Sequence, residues 1–174
     1  MLQMKLLQQL PDLLTAPLSG LEISLAYIIG GAVRGTVNGI LVLCLGVFLI
    51  DFQVQDIIGT IGFIVLVSWA LASMGLILGQ LAENWDQMAM MQNFFLTPLS
   101  FLGGIFYSIH MLPDWAQNLS FANPIYYMIN GIRFTILGIS DSPVNASFWM
   151  ALLLTVLFTT AAILLMQSGK KIKQ

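Results

Sequence analysis

Charge is what this sequence has least of. Six Lys and Arg and eight Asp and Glu make up 8% of 174 residues, whereas globular domains carry about 25%. With 58% of the chain hydrophobic, too few polar side chains remain to clothe a water-facing fold, and a soluble domain is excluded. The single cysteine, Cys44, rules out a disulfide or cysteine-zinc framework within the chain. The only histidine, His110, borders an apolar run and reads as an interfacial hydrogen-bonding group rather than a ligand. Ser and Thr are scattered with no His base nearby, so no hydrolase arrangement can be assembled. No Gly-rich phosphate loop ending in Lys-Ser or Lys-Thr occurs, so the energy for any work must come from a partner or a gradient. A net charge of −2 leaves no basic footprint for nucleic acid, and no cofactor or metal is expected.

What is present is long uncharged runs. Ile57 to Gly79, Met88 to Ile109 and Ala146 to Met166 contain no Asp, Glu, Lys or Arg. Each reaches the roughly 20 residues that a helix needs to cross a hydrocarbon core about 30 Å thick. A fourth run, Ile23 to Ile50, is interrupted once, by Arg34. The fold class read from this pattern is an all-α membrane protein of about four spans, near 22–50, 57–80, 88–109 and 146–167. Met1 to Ser19 lacks the continuous apolar stretch and small-residue cleavage site of a secretory signal, and its leucines recur at helical spacing as an amphipathic piece.

Lys5 precedes the spans, Lys170, Lys171 and Lys173 follow them, and only Arg133 lies in the connection between the last two. That bias predicts both termini on the cytoplasmic side, which an even number of crossings allows. His110 to Asn145 then lies outside, and its Trp115, Phe121, Tyr126, Tyr127 and Phe134, mixed with Pro113, Pro124 and Gly131, suit an interfacial or re-entrant segment. Pro113-Asp114 and Asn123-Pro124 are start signals for short helices within it.

Gly31, Gly35 and Gly39 share a helix face in the first span and suit either packing within the chain or a subunit interface. Gly75 and Gly79 repeat the spacing in the second span. Arg34 and Asn38, one turn apart, flank the first glycine face. An ionisable group at such depth marks a pathway or a buried pair, unless it snorkels to the headgroups; Glu22, Glu83 and Asp86 are candidate partners for it.

The run from Thr97 to Ser108 (Thr97-Pro98-Leu99-Ser100-Phe101-Leu102-Gly103-Gly104-Ile105-Phe106-Tyr107-Ser108), then Leu112-Pro113-Asp114-Trp115, Asn123-Pro124-Ile125-Tyr126-Tyr127 and Gly131-Ile132-Arg133, resembles the hallmark of type-2 ABC exporter permeases. The resemblance implies a membrane subunit of the inner membrane that works with a cytoplasmic ATPase subunit and a second permease subunit, a copy of itself in the simplest case. It marks Pro98, Gly103, Gly104, Pro113, Asn123, Pro124 and Arg133 as the family-motif residues. Leu13, Leu14, Thr15, Ala16, Pro17 and Leu18 look like the family's coupling segment, to which the short cytoplasmic turn with Glu83 and Asp86 is added. Gly31, Arg34, Gly35, Asn38 and Gly39 are then candidates for the translocation path or the subunit interface. The resemblance is to the exporters of drugs, lipid-linked glycans and nodulation factors. Since that fold usually has six spans and this chain begins just ahead of the third, the resemblance further implies that about a third of a permease is missing: the sequence is a fragment, its start is misplaced, or the missing spans sit on another chain. The rival reading is a non-transporting membrane scaffold associating through its glycine faces. A gradient-driven carrier would need acidic residues within its spans, and the three clean runs have none.

Overall fold

In the computed structural model of the chain, residues 2–7, 18–50 and 53–168 are described. All regular elements among them are helical. The short α1 (Leu2–Leu6) is followed by the long α2 (Gly20–Ile50) and α3 (Ile57–Leu81). Next come α4 (Trp85–Met91), a wide helical turn (Gln92–Leu96) and α5 (Thr97–Leu102). The chain closes with α6 (Asp114–Ala122), α7 (Pro124–Leu137) and α8 (Val144–Ser168).

Local sequence signals set most of the helix ends. Ser19 and Glu22 form a reciprocal cap at the start of α2: Ser19 Oγ accepts from Glu22 N at 3.2 Å, while Glu22 Oε2 accepts from Ser19 N at 2.7 Å. Asp56 caps α3 by accepting from Gly59 N at 2.9 Å, and Asn84 caps α4 by accepting from Gln87 N at 2.7 Å. Asn123 caps α7, whose first residue is Pro124, and Gly138 at φ 72° closes that helix.

Among the described residues three helices are long and apolar enough to cross a membrane: Gly20–Leu49, Ile57–Leu81 and Val144–Ser168. They pack side by side, with α3 between α2 and α8. The fourth apolar run is not one uniform helix. Pro98 has no N–H for the carbonyl four residues back, and the turn before it widens so that Thr97 N donates to Gln92 O, five residues away. The run then ends at Gly103 and Gly104, where φ is 76° and the chain reverses. No residue of α4, the wide turn or α5 is buried, so this arm stands beside the three-helix bundle rather than inside it.

The core has two centres. Near one end Ile23, Ile28, Leu76, Ala162 and Met166 cluster; toward the other are Phe63, Ala70, Met128, Ala151 and Leu154. Between α3 and α8 runs a polar seam, in which Trp69 Nε1 donates to Thr159 Oγ1 at 3.1 Å and Ser73 meets the same hydroxyl at 3.1 Å. Such interhelical bonds contribute about 0.6 kcal/mol each in a membrane, so they fix register more than they add stability. The outer faces are apolar, with Phe48, Ile58, Phe94 and Phe106 among the exposed large side chains. This is the surface expected against lipid rather than water.

Candidate functional site

The polar residues gather at the end of the bundle where α3 begins and α7 ends. There Gln55 N and Asp56 N donate to Ile136 O and Thr135 O at 3.1 and 2.9 Å, joining the α2–α3 connection to the last turn of α7. Gly138 and Gly131 permit the contact. A Cβ at Gly138 would overlap the Gln55 side chain, and one at Gly131 would overlap the Phe63 ring.

Arg133, on α7, is the centre of this end. Its Nη1 donates to Asp141 Oδ2 at 2.9 Å, its Nη2 donates to the Gly104 carbonyl, and Tyr107 O lies 3.4 Å from the same nitrogen. Asp141 also accepts from Ser108 Oγ at 2.9 Å and from Ile109 N at 3.1 Å. The pair is largely shielded, with 17% and 7% of the two side chains exposed. Arginine suits the position because its planar fork can hold a carboxylate and a carbonyl at once, which a lysine ammonium cannot reproduce.

Behind the ion pair lies Asn130, fully buried. Its Oδ1 accepts from Asp141 N at 2.9 Å; its Nδ2 donates to Ser147 Oγ at 2.9 Å, Ser142 Oγ at 3.1 Å and Ser142 O at 3.3 Å. Asn123 reaches the other way, donating from Nδ2 to Leu99 O at 2.6 Å while its Oδ1 accepts from Ile125 N at 3.0 Å. The end of α5, the reversal after it, α7 and the start of α8 are thereby tied into one polar clamp.

The motif residues thus have structural assignments. Pro98 accompanies the wide turn, and Gly103 and Gly104 make the reversal. Pro113 precedes α6, Asn123 and Pro124 start α7, and Arg133 holds the clamp. Ser108, the last residue of the motif run, belongs to the same site, as do Asp141, Asn130, Ser142 and Ser147, which the sequence did not single out. The one available signal was Asp141 in the Gly138 to Pro143 turn, an acid close in sequence to the only cation of its segment.

The other expected residues are dispersed. Gly31, Gly35 and Gly39 close against α3 inside the chain. Cβ atoms added there would stand 2.9 Å from Ala72 Cβ, 3.0 Å from Ser68 Oγ and 2.8 Å from Ile64 Cγ2. Of the roles open to this glycine face, the contact within the chain is the one these distances describe. Arg34 and Asn38 remain exposed on the flank of that contact. Among the described residues the ion pair is Arg133–Asp141, and none joins Arg34 to Glu22, Glu83 or Asp86 within the chain. Glu22 is engaged by Ser19.

Leu13, Leu14, Thr15, Ala16 and Pro17 lie outside the described residues, whereas Leu18, Glu83 and Asp86 are exposed. Leu18 edges a groove with Glu22, Ile23, Ala26 and Tyr27, at the end where Gly20 meets Gln167. Among the described residues no His, Cys, Asp and Glu cluster could hold a metal ion.

The inner membrane transport permease YadH of Escherichia coli is 36% identical over 169 residues, 97% of this chain and 66% of the relative. YadH of Shigella flexneri matches to the same extent. Nodulation protein J of Sinorhizobium fredii is 39% identical over 70 residues, 40% of this chain and 27% of that protein. The chain thus spans 66% of the length of the YadH permeases, just under two thirds. No solved structure matches it. The model of the ABC-2 type transporter family matches residues 10–137, a stretch that runs through α2, the wide turn and the whole of α7 with Arg133, and the chain belongs to that family.

Proposed function

We propose that the chain is the membrane-spanning permease part of an ATP-driven exporter, forming a translocation path and working with a separate cytoplasmic ATPase subunit and a second permease subunit. The observation that carries this reading is the alignment of 97% of the chain with an inner membrane transport permease. The chain itself has no phosphate-binding loop, so the nucleotide chemistry falls to the partner.

In this reading the arm from Trp85 through Leu102 is the third of four crossings, and the clamp lies at the outer face. The Gly20 and Gln167 end is cytoplasmic. Arg133 is the sole cation between the last two crossings, and its charge is neutralised by Asp141, so outside the crossings the remaining positive charge of the sequence falls near the termini, in agreement with the positive-inside bias. The segment from Leu13 to Leu18 and the turn carrying Glu83 and Asp86 receive the ATPase. Short connections at that end suit rigid-body transmission. The cargo class follows the family resemblance, an amphipathic or glycan-bearing molecule.

The test is association followed by turnover. The chain is reconstituted with a candidate cytoplasmic ATPase subunit from the same organism, and ATP hydrolysis is measured in vesicles. Co-purification, lost on replacing Leu13 and Leu14 with Asp, supports the reading. If no ATPase associates and no nucleotide-dependent movement of a labelled amphiphile occurs, the scaffold reading replaces it.

A further inference from the structure

Arg34 stands at mid-membrane with nothing in the described chain to neutralise it. Its depth is set by its neighbour: Gly35 contacts Ser68, which is 11 residues from the first and 13 from the last residue of α3. At about 1.5 Å per residue, Ser68 is roughly 17 to 20 Å from either end of that uncharged helix. This is too deep for the guanidinium to reach the headgroups by snorkelling along its own stem. The side chain is exposed, and the ion pair found among the described residues does not involve it.

The strip it occupies is otherwise apolar. Gly30, Val37, Leu41 and Leu45 share the exposed face with Arg34 and Asn38. Gly30 has open space where a Cβ would be. A water-filled path would carry a succession of polar side chains. A single cation and an amide in an apolar strip are what a helix–helix contact with one buried ion pair requires. A second copy of this face is disfavoured, since a two-fold axis through it would bring Arg34 beside its symmetry mate.

We propose that the Arg34–Asn38 strip is the docking edge for a membrane helix that bears one carboxylate at mid-depth. That helix belongs to a polypeptide segment of the assembled transporter other than those described here. Charge complementarity names the partner's chemistry: Arg34 holds the carboxylate, and Asn38, one turn on, offers its amide to the same helix. The reading rests on α2 and α3 crossing the bilayer and is independent of what the transporter carries.

The test uses the full chain in phosphatidylcholine vesicles, with a fluorophore on Cys44, the single cysteine, which is exposed on α2. The probes are synthetic leucine-rich helices of about 20 residues carrying a central Asp, Leu or Lys. Energy transfer should report association of the Asp helix about tenfold tighter than that of the Leu helix, with the Lys helix weakest. Arg34→Gln should abolish the difference while circular dichroism stays unchanged, and Arg34→Lys, which retains the charge, should keep part of it. Equal association of the Asp and Leu helices overturns the proposal, as does a preference that survives Arg34→Gln. Loss of the preference on adding phosphatidylglycerol also overturns it, because a lipid phosphate would then be the counter-ion.

Discussion

Asp141 serves Arg133 on one side and the Ile109 amide on the other through the same oxygen, Oδ2, at 2.9 and 3.1 Å. A single carboxylate therefore anchors the turn after α7 to the segment that follows α5, which is 32 residues earlier in the chain. The geometry explains why an arginine in the middle of an apolar helix is tolerated: every strong contact it makes is to an oxygen held by backbone that the clamp itself orders.

Removing either partner should be costly, since it strands the other as a shielded charge. Arg133→Leu and Asp141→Leu are each expected to destabilise the chain by about 3–5 kcal/mol. The double variant should lose less than the sum, because no charge is left unpaired. Thermal unfolding in detergent, followed by circular dichroism, measures all three. Additive losses would mean that the pair is not coupled.

The glycine face gives a contrast within one helix. Gly35→Ala and Gly39→Ala force α2 from α3 at Ser68 and Ile64, and each should cost about 1–3 kcal/mol by overpacking. Gly30→Ala, where nothing stands within 4 Å, should be neutral or slightly stabilising in the same assay. A loss at Gly30 equal to that at Gly35 would contradict the packing described.

Those two sites also show what could be read from the residues alone. Apolar run lengths and start signals such as Pro113-Asp114 and Asn123-Pro124 are local properties, and they located the helices. The spacing of Gly31, Gly35 and Gly39 announced a close contact but not its partner, because a small-residue face is equally suited to a helix of the same chain and of another. The clamp was only half legible. Arg133 stood out as a lone cation, whereas Asn130, Ser108 and Ser147 acquire their roles from contacts between α5, α7 and α8 that no local pattern encodes. The division of the arm by a wide turn follows from Pro98, yet its separation from the bundle depends on packing that only the assembled helices define.

Topology can be checked without knowing the cargo. In a Cys44→Ala background, a cysteine at Ser140, exposed beyond the end of α7, should react with a membrane-impermeant maleimide in intact cells. A cysteine at Glu83, exposed in the turn between α3 and α4, should react only after permeabilisation. Labelling of both from one side would remove a crossing and with it the proposed cytoplasmic turn.

Asn130 offers a sharper test of the clamp, because its amide has only one workable orientation. Asp141 N–H needs an acceptor and the Ser142 carbonyl needs a donor, so Oδ1 must face Asp141 and Nδ2 the serines. Asn130→Leu fills similar space but leaves the Asp141 amide and the Ser147 hydroxyl without their partner. At about 1–3 kcal/mol for each group stranded, a loss of about 2–6 kcal/mol is expected for the two. Ser147→Ala removes one acceptor, and Nδ2 still has Ser142 O and Ser142 Oγ, so that variant should lose less than about 1 kcal/mol. Hydrogen exchange at the Asp141 amide separates the two further: it should accelerate in Asn130→Leu and stay slow in Ser147→Ala. Equal exchange in both variants would place the acceptor of that amide somewhere other than Asn130.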